Sequence, residues 1–350
     1  MDALVTYPTV PTRDVLYPDA LVERLESLGS VDWNDSDEQF TPEALSNRLN
    51  GVDVCITGWG CPTLSESVLA DVDTLELELV AHVGGSIATV ASPALYDRKI
   101  PVCSANQTMA PFVAEGILAY ALSALRDVPA FDADLKAGGW PVADGAASAI
   151  PQTDTLFAAS IGFVGLGDIG RELLALLEPF GSTVRVYDPY VSADELDEFD
   201  GVELTSLEAT LETADVVSIH ASKTPETIHL LDGERLATLP DGCLLVNAAR
   251  GAIVDEGALV AELQSGRITA ALDVFEAEPL SETSPLRDLE NVVLGPHVAG
   301  SPVRHRLTET VIAEIERFTA GEPLQHRHSR ERYERMTRDQ LETEDATHAS

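Results

Sequence analysis

The amino-acid sequence predicts two α/β domains, each built on a doubly wound parallel sheet, with a cleft between the domains. Short apolar runs alternate with helical patterns along most of the 350 residues, which is typical of parallel strands joined by crossover helices. A Gly-x-Gly-x-x-Gly turn lies near the middle of the chain, between a predicted strand and a predicted helix. The chain is long enough for two domains, each with its own core.

The first part of the chain contains four apolar runs and two helical patterns. The runs predict strands at 3–7, 52–57, 77–83 and 100–103. Helical spacing predicts a helix over 19–28 and a second over 111–125. The second pattern is apolar on nearly every face, which predicts burial within a domain or against a second subunit. Residues 136–155 are rich in Gly, Ala, Pro and Ser and predict an exposed connection.

A second α/β unit is predicted from about residue 158 to residue 298. Its later strands are expected at 216–219, 244–247, 269–272 and 292–294, with helices near 206–213 and 256–265. An amphipathic pattern over 303–319 predicts a helix that returns to the first unit. The predicted domains are therefore 1–104 completed by 299–330, which binds substrate, then 105–298, which binds a nucleotide, and a charged tail over 331–350.

The glycine-rich turn has the spacing that a dinucleotide cofactor requires. Gly165 permits a tight turn, Gly167 lets a pyrophosphate approach the backbone, and Gly170 lets the following helix pack on the strand. Asp188 ends the next strand, where its carboxylate can accept hydrogen bonds from a ribose diol and would repel a 2′-phosphate. An ordinary strand–helix turn is the alternative. The surrounding strand, helix and acid favour a Rossmann-like site for NAD over NADP.

The charge of the chain is strongly negative, with 59 acidic against 22 basic residues and a formal net charge of −37. Such a chain repels itself in dilute buffer, whereas molar salt screens the charges over about 3 Å. We therefore expect a cytoplasmic protein from an organism that keeps molar salt inside, with an acidic mesophilic enzyme as the alternative. No basic patch could neutralise phosphates, so nucleic-acid binding is excluded.

Composition predicts neither a membrane span nor a metal site. No run of about 18 apolar residues without charges is present, and the N-terminus has no basic segment followed by an apolar stretch. None of the four cysteines forms a Cys-x-x-Cys pair, so we expect buried thiols in a reducing compartment.

Three polar side chains follow predicted strands of the second unit. Arg250, Glu278 and His297 each lie where a strand ends, and such strand ends line the ligand crevice of an open parallel sheet. Arginine can hold a carboxylate through two hydrogen bonds, and histidine can transfer a proton near neutral pH. A carboxylate beside the histidine favours imidazolium and fixes its orientation. Taken singly, these could be a surface arginine, a solvated acid and a structural histidine; their combination predicts hydride transfer to and from a hydroxyl carbon.

The motifs that contain these residues resemble those of the D-isomer-specific 2-hydroxyacid dehydrogenase family. The stronger matches are Val-Gly-Leu-Gly-Asp-Ile-Gly at 164–170, Asn-Ala-Ala-Arg-Gly at 247–251, Asp-Val-Phe-Glu-Ala-Glu-Pro at 273–279 and Pro-His-Val-Ala-Gly at 296–300. The resemblance implies that Arg250 binds the substrate and that His297 is the acid/base with Glu278 as its partner. It implies cofactor contacts at Asp168, Ile169, His220, Ala248, Ala249, Asp273, His297 and Gly300, besides the glycine turn, Asp188 and Arg250.

The resemblance also implies a substrate loop, a substrate class and an assembly. Val83, Gly84 and Gly85 are expected to hold the substrate carboxylate through backbone N–H groups. The implied reaction interconverts a 2-keto acid and a D-2-hydroxy acid with NAD, in a homodimer joined through the 111–125 helix. After Gly85 the chain reads Ser-Ile-Ala, where many members have Gly-x-Asp-Asn-x-Asp, so the substrate pocket is expected to differ.

Three alternatives stay open within or beside this family. Formate dehydrogenase is disfavoured, because that branch has glutamine at the position of Glu278. A phosphoglycerate or phosphite dehydrogenase remains compatible with the motifs. A corepressor-like protein that senses NAD without turning it over is the alternative of a different class, since such relatives can retain all three polar residues.

Overall fold

The computed structural model describes residues 1–140, 153–300 and 304–336. It divides the chain into two compact units. The first contains Met1–Met109 and the described residues from 304 onward, and the second is Ala110–Gly300. The sequence predicts these two domain boundaries at 104/105 and 298/299, within about five residues of the observed ones. Part of the predicted 136–155 connection, from 141 to 152, and the end of the predicted tail beyond 336 lie outside the described residues.

The first unit is a five-stranded parallel sheet with the order β2-β1-β3-β4-β5. Its strands are β1 (Asp2–Val5), β2 (Ser30–Trp33), β3 (Val54–Thr57), β4 (Leu79–His82) and β5 (Val102–Ser104). Its helices before β5 are α1 (Pro11–Leu16), α2 (Asp19–Glu26), α3 (Pro42–Arg48), α4 (Glu66–Ala70) and α5 (Pro93–Asp97). This order is the flavodoxin-like version of the doubly wound sheet, and the predicted strands at 52–57, 77–83 and 100–103 are confirmed within about two residues.

Side chains of the first sheet alternate between two cores. Leu4 and Val80 pack in one core, while Val5 and Ile56 pack in the other. The alternation follows from the two-residue period of a strand, and every residue of β3 and β4 is buried because helices cover both faces.

The second unit is a seven-stranded parallel sheet with the order β12-β11-β10-β9-β6-β7-β8. Its helices, with α6 beginning in the first unit, are α6 (Asn106–Leu125), α7 (Val128–Lys136), α8 (Asp168–Leu177), α9 (Leu207–Leu211), α10 (Gly233–Thr238) and α11 (Glu256–Gln264). Its strands are β6 (Ser160–Val164), β7 (Thr183–Tyr187), β8 (Val202–Leu204), β9 (Val216–Ile219), β10 (Leu244–Asn247), β11 (Thr269–Leu272) and β12 (Val292–Leu294). The last four strands have the predicted bounds. The strand order reverses between β6 and β9, which is where a Rossmann-type sheet binds its ligand.

The chain then returns to the first unit through α12 (His305–Thr319) and α13 (Arg330–Glu334). One stripe of α12, including Leu307, Val311 and Ile315, is buried in the first unit's core, as its amphipathic pattern predicts. The predicted tail is wrong at its start: residues 330–334 form α13, and Tyr333 and Met336 are buried in the other core. Most residues of this segment are charged, which predicts an exposed tail. Its two apolar side chains nevertheless pack into the core of the first unit.

Helix α6 begins at Asn106, five residues before its predicted start, and is only partly covered. Ala110, Val113, Ala114, Ile117 and Ala121 are its buried residues. In the described part of the chain, α6 is the one helix that is long and apolar enough to cross a membrane. Of its apolar 18-residue stretch, 28% is buried within the protein. Buried helices of globular domains meet the same criterion, so this property does not by itself assign a location.

Candidate active site

The glycine turn lies between β6 and α8, and on one side its backbone is open to close approach by a ligand. Gly165 has a φ of 90°, and a Cβ there would lie 2.6 Å from the backbone nitrogen of Ala221. Gly167 has no atom within 4 Å of such a Cβ. It is the N-cap of α8 and no side chain caps that helix, so the first-turn N–H groups face a position open to an anion.

Asp188 follows β7 and is bound to the turn itself. Its Oδ2 accepts a hydrogen bond of 2.8 Å from the N–H of Leu166, and its Oδ1 accepts one of 2.8 Å from the N–H of Tyr190. Each carboxylate oxygen keeps a further lone pair. Asp188 therefore has a structural role that the sequence did not predict, and it retains the capacity to accept from a diol.

His220 follows β9, the neighbour of β6 across the point where the strand order reverses. Both ring nitrogens are buried and have no hydrogen-bond partner among the described residues. Burial lowers the pKa of His220 to about 3, so the imidazole is neutral. A buried polar group without a partner is costly. The orphaned nitrogens, the open side of Gly167 and the uncapped helix together fit a dinucleotide at this edge of the sheet.

The turn that carries Arg250 is folded by an asparagine which the sequence did not single out. The side chain of Asn247 is buried, accepts from the N–H of Ala249 at 3.0 Å and donates to the carbonyl of Arg250 at 3.0 Å. A Cβ at Gly251 would lie 1.9 Å from the carbonyl carbon of Phe275. The absence of a side chain at Gly251 therefore brings the Arg250 turn against the segment that leads to Glu278.

His297 and Glu278 form the central pair of the site. His297 Nδ1 lies 2.7 Å from Glu278 Oε2, and Glu278 Oε1 accepts from the N–H of Phe275 at 3.1 Å. Burial acts to raise the pKa of Glu278, but the hydrogen bonds from His297 and Phe275, together with the charges of His297 and Arg250, hold it below its ordinary value. The carboxylate is thus charged at neutral pH. It leaves Nε2 of His297 without a partner among the described residues.

Asp273 holds the loop that positions His297. Its carboxylate is buried and accepts from the N–H groups of Val298 at 3.0 Å and Ala299 at 2.7 Å, and from the hydroxyl of Tyr120 at 2.8 Å. His297 itself has a φ of 56°, a region that a non-glycine residue adopts only when its surroundings impose it. The sequence predicts a cofactor contact at Asp273 and misses Tyr120, because nothing in the sequence distinguishes it from the other hydroxyl-bearing residues of α6, Thr108 and Ser123.

The predicted substrate loop follows β4 in the first unit. The N–H of Val83 donates to the carbonyl of Thr57 at 2.8 Å, and the N–H of Gly84 donates to the carbonyl of His82 at 2.9 Å. Two of the three N–H groups that the sequence assigns to this loop are therefore already used within the fold. The N–H of Gly85 donates to no acceptor within the described ranges, which narrows the prediction to Gly85.

The remaining predicted residues also lie where strands of the second sheet end. Asp168 and Ile169 begin α8, Ala248 and Ala249 follow β10, and Gly300 closes the segment after β12. Within the described residues, no group of three His, Cys, Asp or Glu side chains could hold a metal ion. All four cysteines are buried and unpaired.

The strand order and the residues at the strand ends define a dinucleotide-binding α/β protein, and comparison with known proteins gives its family. The family described as D-isomer specific 2-hydroxyacid dehydrogenase, NAD binding domain, matches residues 118–299. The chain belongs to this family.

Three relatives illustrate the similarity. The D-3-phosphoglycerate dehydrogenase of Mycobacterium tuberculosis H37Rv is 38% identical over 321 residues, which is 91% of this chain and 58% of that protein. A protein from Thermus thermophilus is 28% identical with a TM-score of 0.77, covering 94% of this chain and 100% of its own. The D-isomer specific 2-hydroxyacid dehydrogenase of Xanthobacter autotrophicus Py2, solved with NADPH and MES, is 29% identical with a TM-score of 0.70, covering 95% and 99%. The chain thus spans a little over half the length of the mycobacterial protein.

Proposed function

We propose that this protein is an NAD-dependent oxidoreductase that interconverts a 2-keto acid and a D-2-hydroxy acid. The observation that carries the proposal is the His297–Glu278 pair, in which the carboxylate occupies Nδ1 and leaves Nε2 for a ligand. The charge of Arg250 acts on the same carboxylate. A proton donor and a guanidinium thus belong to one constellation at the strand ends of a dinucleotide-binding sheet.

Each residue has a proposed task in the reducing direction. Bound NADH supplies the hydride. His297 gives a proton from Nε2 to the substrate oxygen, and Glu278 stabilises the imidazolium and holds its orientation. Arg250 polarises the keto oxygen and binds the carboxylate through two N–H groups. The N–H groups of the loop after β4 are proposed to bind that carboxylate as well.

We also propose NAD rather than NADP as the cofactor. Asp188 is fixed by two backbone N–H groups, so its negative charge cannot swing away from a ribose 2′-phosphate. The Xanthobacter relative was solved with NADPH, which makes the preference worth measuring. We expect KM for NADPH to exceed KM for NADH by at least tenfold, and an Asp188→Asn variant to narrow that ratio. Equal KM values in the unaltered protein would contradict the assignment.

The substrate is proposed at the level of its class. The mycobacterial relative is named for D-3-phosphoglycerate, so a phosphorylated hydroxy acid is a second candidate within the same reaction. A screen of NADH oxidation in molar KCl would cover glyoxylate, pyruvate, hydroxypyruvate, phenylpyruvate, branched 2-keto acids and 3-phosphohydroxypyruvate. Turnover with any of these supports the proposal. NADH binding without turnover of any would instead favour the NAD-sensing, corepressor-like alternative.

Assembly through α6 is a further part of the proposal. Only one stripe of this apolar helix is buried in the single chain. We propose that a second copy of the chain packs against part of the remaining helix surface, as the sequence resemblance implies. Light scattering after gel filtration in molar KCl should give twice the 37.4 kDa of one chain. A monomeric mass would contradict it.

High salt is proposed as the working environment, in the cytoplasm. The net charge of −37 must be screened for the compact state to persist. The protein is expected to lose its far-UV circular dichroism on dialysis into dilute buffer and to regain it in molar KCl. Full stability in dilute buffer would favour the acidic mesophilic alternative.

A further inference from the structure

Helix α6 has a single glycine, Gly116, near its middle. Glycine in the interior of a helix is less stable than alanine, because more backbone entropy is lost on folding. A glycine at such a position therefore indicates a place where another part of the molecule comes too close for a side chain. For α6 that part is the segment that follows β12.

The close neighbour of Gly116 is the backbone of Ala299. A Cβ at position 116 would lie 2.8 Å from the Ala299 carbonyl oxygen, 3.0 Å from its Cα and 3.1 Å from its Cβ. A carbon atom and a carbonyl oxygen approach each other to about 3.3 Å, so an alanine at position 116 would force the two segments apart by about 0.5 Å. The absence of a side chain at Gly116 thus lets the helix lie directly on this backbone.

The same face of α6 contacts the segment a second time, one turn further along the helix. Tyr120 lies four residues after Gly116 and hence on the same face. Its hydroxyl donates to Asp273, and a Cβ at Gly295 would lie 2.1 Å from the oxygen of that hydroxyl. Gly116 and Tyr120 therefore form one surface on which residues 295–299 rest.

His297 lies in the middle of this supported segment. The N–H groups of His297, Val298 and Ala299 all donate to one residue. That residue is Asp273, whose carbonyl accepts at 2.8 Å and whose carboxylate accepts at 3.0 and 2.7 Å. The φ of 56° at His297 requires such support, because a non-glycine residue adopts this region only under constraint. With the N–H groups held by Asp273, a shift of the Ala299 backbone is transmitted over two residues to the imidazole.

We propose that Gly116 is a positioning residue, whose missing side chain seats α6 against Ala299 and thereby fixes where the imidazole of His297 stands. The inference rests on the proposed function for its kinetic readout. Gly116 acts through the Ala299 backbone rather than on the substrate. A misplacement of 1 Å can cost about 10²-fold in rate, so a displacement of about half that size should lower kcat about three- to tenfold.

The kinetic test compares Gly116→Ala with Gly257→Ala as its matched control. Gly257 lies in the first turn of α11, where the nearest atom to a Cβ, outside the adjacent backbone, is Oδ1 of Asp255 at 3.4 Å. Gly116→Ala should lower kcat for NADH oxidation with glyoxylate by about three- to tenfold and leave the Kd for NADH nearly unchanged. Gly257→Ala should change neither constant. An altered urea midpoint with an unchanged kcat in Gly116→Ala would make the contact merely structural and overturn the proposal.

A double-mutant cycle isolates the contact itself. Ala299→Gly removes the Cβ and lets this backbone adjust more freely, so Gly116→Ala should reduce kcat less in the Ala299→Gly background than in the unaltered protein. Residues in contact show such non-additive effects, whereas distant residues do not. Equal reductions in both backgrounds would mean that Gly116 does not act through Ala299 and would contradict the proposal.

Two isotope labels provide a readout that needs no turnover. The sequence contains three Ala–Gly pairs, at 137–138, 299–300 and 320–321, and eight histidines. Alanine labelled with ¹³C at the carbonyl, combined with ¹⁵N-glycine, therefore marks three peptide bonds, and ¹³C-histidine gives eight ring signals. The ring signal that is absent from His297→Gln belongs to His297. Gly116→Ala should move both the Ala299–Gly300 signal and the His297 ring signal.

These signals separate the positioning role from the proposed function. If the His297 signal stays in place, the displacement ends at Ala299 and the positioning role fails, even in an active enzyme. If both signals move and the unaltered protein turns over no 2-keto acid, the place of the imidazole still depends on Gly116, and it is the proposed function that fails.

Discussion

Two histidine–glutamate pairs lie in the second unit, and they share almost every local feature. His297 Nδ1 lies 2.7 Å from Glu278, and His229 Nε2 lies 2.7 Å from Glu276. Both histidines have a left-handed φ, 56° and 50°, and both glutamates belong to the segment after β11. The pairs differ in which ring nitrogen the carboxylate occupies and in their exposure, 48% for His297 and 24% for His229.

This difference decides what each histidine can do. Glu278 binds the nitrogen nearer the backbone and leaves the outer Nε2 of His297 for a ligand. Glu276 binds the outer nitrogen of His229, and its carboxylate also accepts from the N–H of Glu256 at 3.1 Å. Burial, and repulsion from Glu276, raise the pKa of Glu256, as expected for carboxylates crowded into a structural cluster. A histidine–carboxylate pair is therefore not a catalytic signature by itself, and the two pairs are distinguished by which ring nitrogen the carboxylate occupies.

The largest expected effect comes from replacing the two histidines in turn. His297→Gln should lower kcat by about 10²–10⁴-fold, because the proposed proton donor is lost, while the Kd for NADH should stay within about twofold of the unaltered value. Steady-state kinetics and fluorescence titration with NADH would measure both.

The matched control is His229→Gln, which removes the other ring. Its kcat should remain close to that of the unaltered enzyme. A comparable loss of kcat in both variants would mean that the two pairs are not distinguished by ring orientation.

Replacing the two glutamates tests the same comparison through the pH dependence of the reaction rate. The pKa of Glu278 lies below its ordinary value, held there by the hydrogen bonds from His297 and Phe275, so the group is charged at neutral pH and favours a protonated partner. Glu278→Gln removes that charge but keeps an acceptor for the Phe275 N–H. The reductive activity should then decline at a lower pH than in the unaltered protein, and kcat should fall about tenfold.

Glu276→Gln provides the control, since it deletes a carboxylate from the same segment. Its pH–rate profile should superimpose on that of the unaltered enzyme. A displaced profile in this variant would show that the whole segment, rather than Glu278, sets the pH dependence.

A smaller effect is expected from loosening the loop that carries His297. Tyr120→Phe leaves the buried Asp273 carboxylate with one donor fewer, which should cost about 1–3 kcal/mol of unfolding free energy. Misplacement of His297 should lower kcat about three- to tenfold. Urea unfolding and steady-state kinetics measure the two consequences.

Tyr96→Phe is a suitable control, because the Tyr96 hydroxyl is buried in the first unit without a partner among the described residues. Its removal should leave stability unchanged or slightly higher. Equal destabilisation by the two substitutions would argue against a specific role for the Tyr120–Asp273 bond.

The smallest effect concerns a histidine that makes no pair with a carboxylate. Burial, with repulsion from His328, lowers the pKa of His82 to about 4. Between this value and the ordinary 6.5, the unfolded chain binds a proton that the folded chain does not, so stability falls as pH falls. His82 alone should cost about 2 kcal/mol of unfolding free energy between pH 7 and pH 5.

Urea unfolding of His82→Asn in molar KCl would isolate this contribution. Asparagine retains a polar atom near the Thr57 hydroxyl, which lies 3.0 Å from His82 Nδ1. The variant should show a shallower loss of stability from pH 7 to pH 5 than the unaltered protein. Identical pH slopes would mean that His82 is not held neutral by its surroundings.

The sequence predicts those parts of the site that depend on spacing along the chain. The glycine turn, Asp188 and the positions of Arg250, Glu278 and His297 after strands follow from the alternation of apolar runs and from strand ends meeting at one edge. It does not predict the role of Tyr120, because the carboxylate that its hydroxyl bonds, Asp273, is 153 residues away in the chain. It does not predict the role of Asn247 either, because a side chain that folds one turn onto Ala249 and Arg250 leaves no periodic pattern. The charged composition of the C-terminal segment predicts an exposed tail, although Tyr333 and Met336 are buried. The core that buries them is formed by residues 4–102, which are distant in sequence.

The sequence by itself determined the class of the protein, since two-residue and 3.6-residue apolar periods and a run of glycines specify parallel sheets and a phosphate-binding turn. The tertiary structure alone decided which nitrogen of His297 is occupied by Glu278, and that the N–H groups of Val83 and Gly84 are already used within the fold. Periodicity is a local property that burial enforces along each element, whereas the direction of a ring or a peptide is set by hydrogen bonds between segments far apart in the chain.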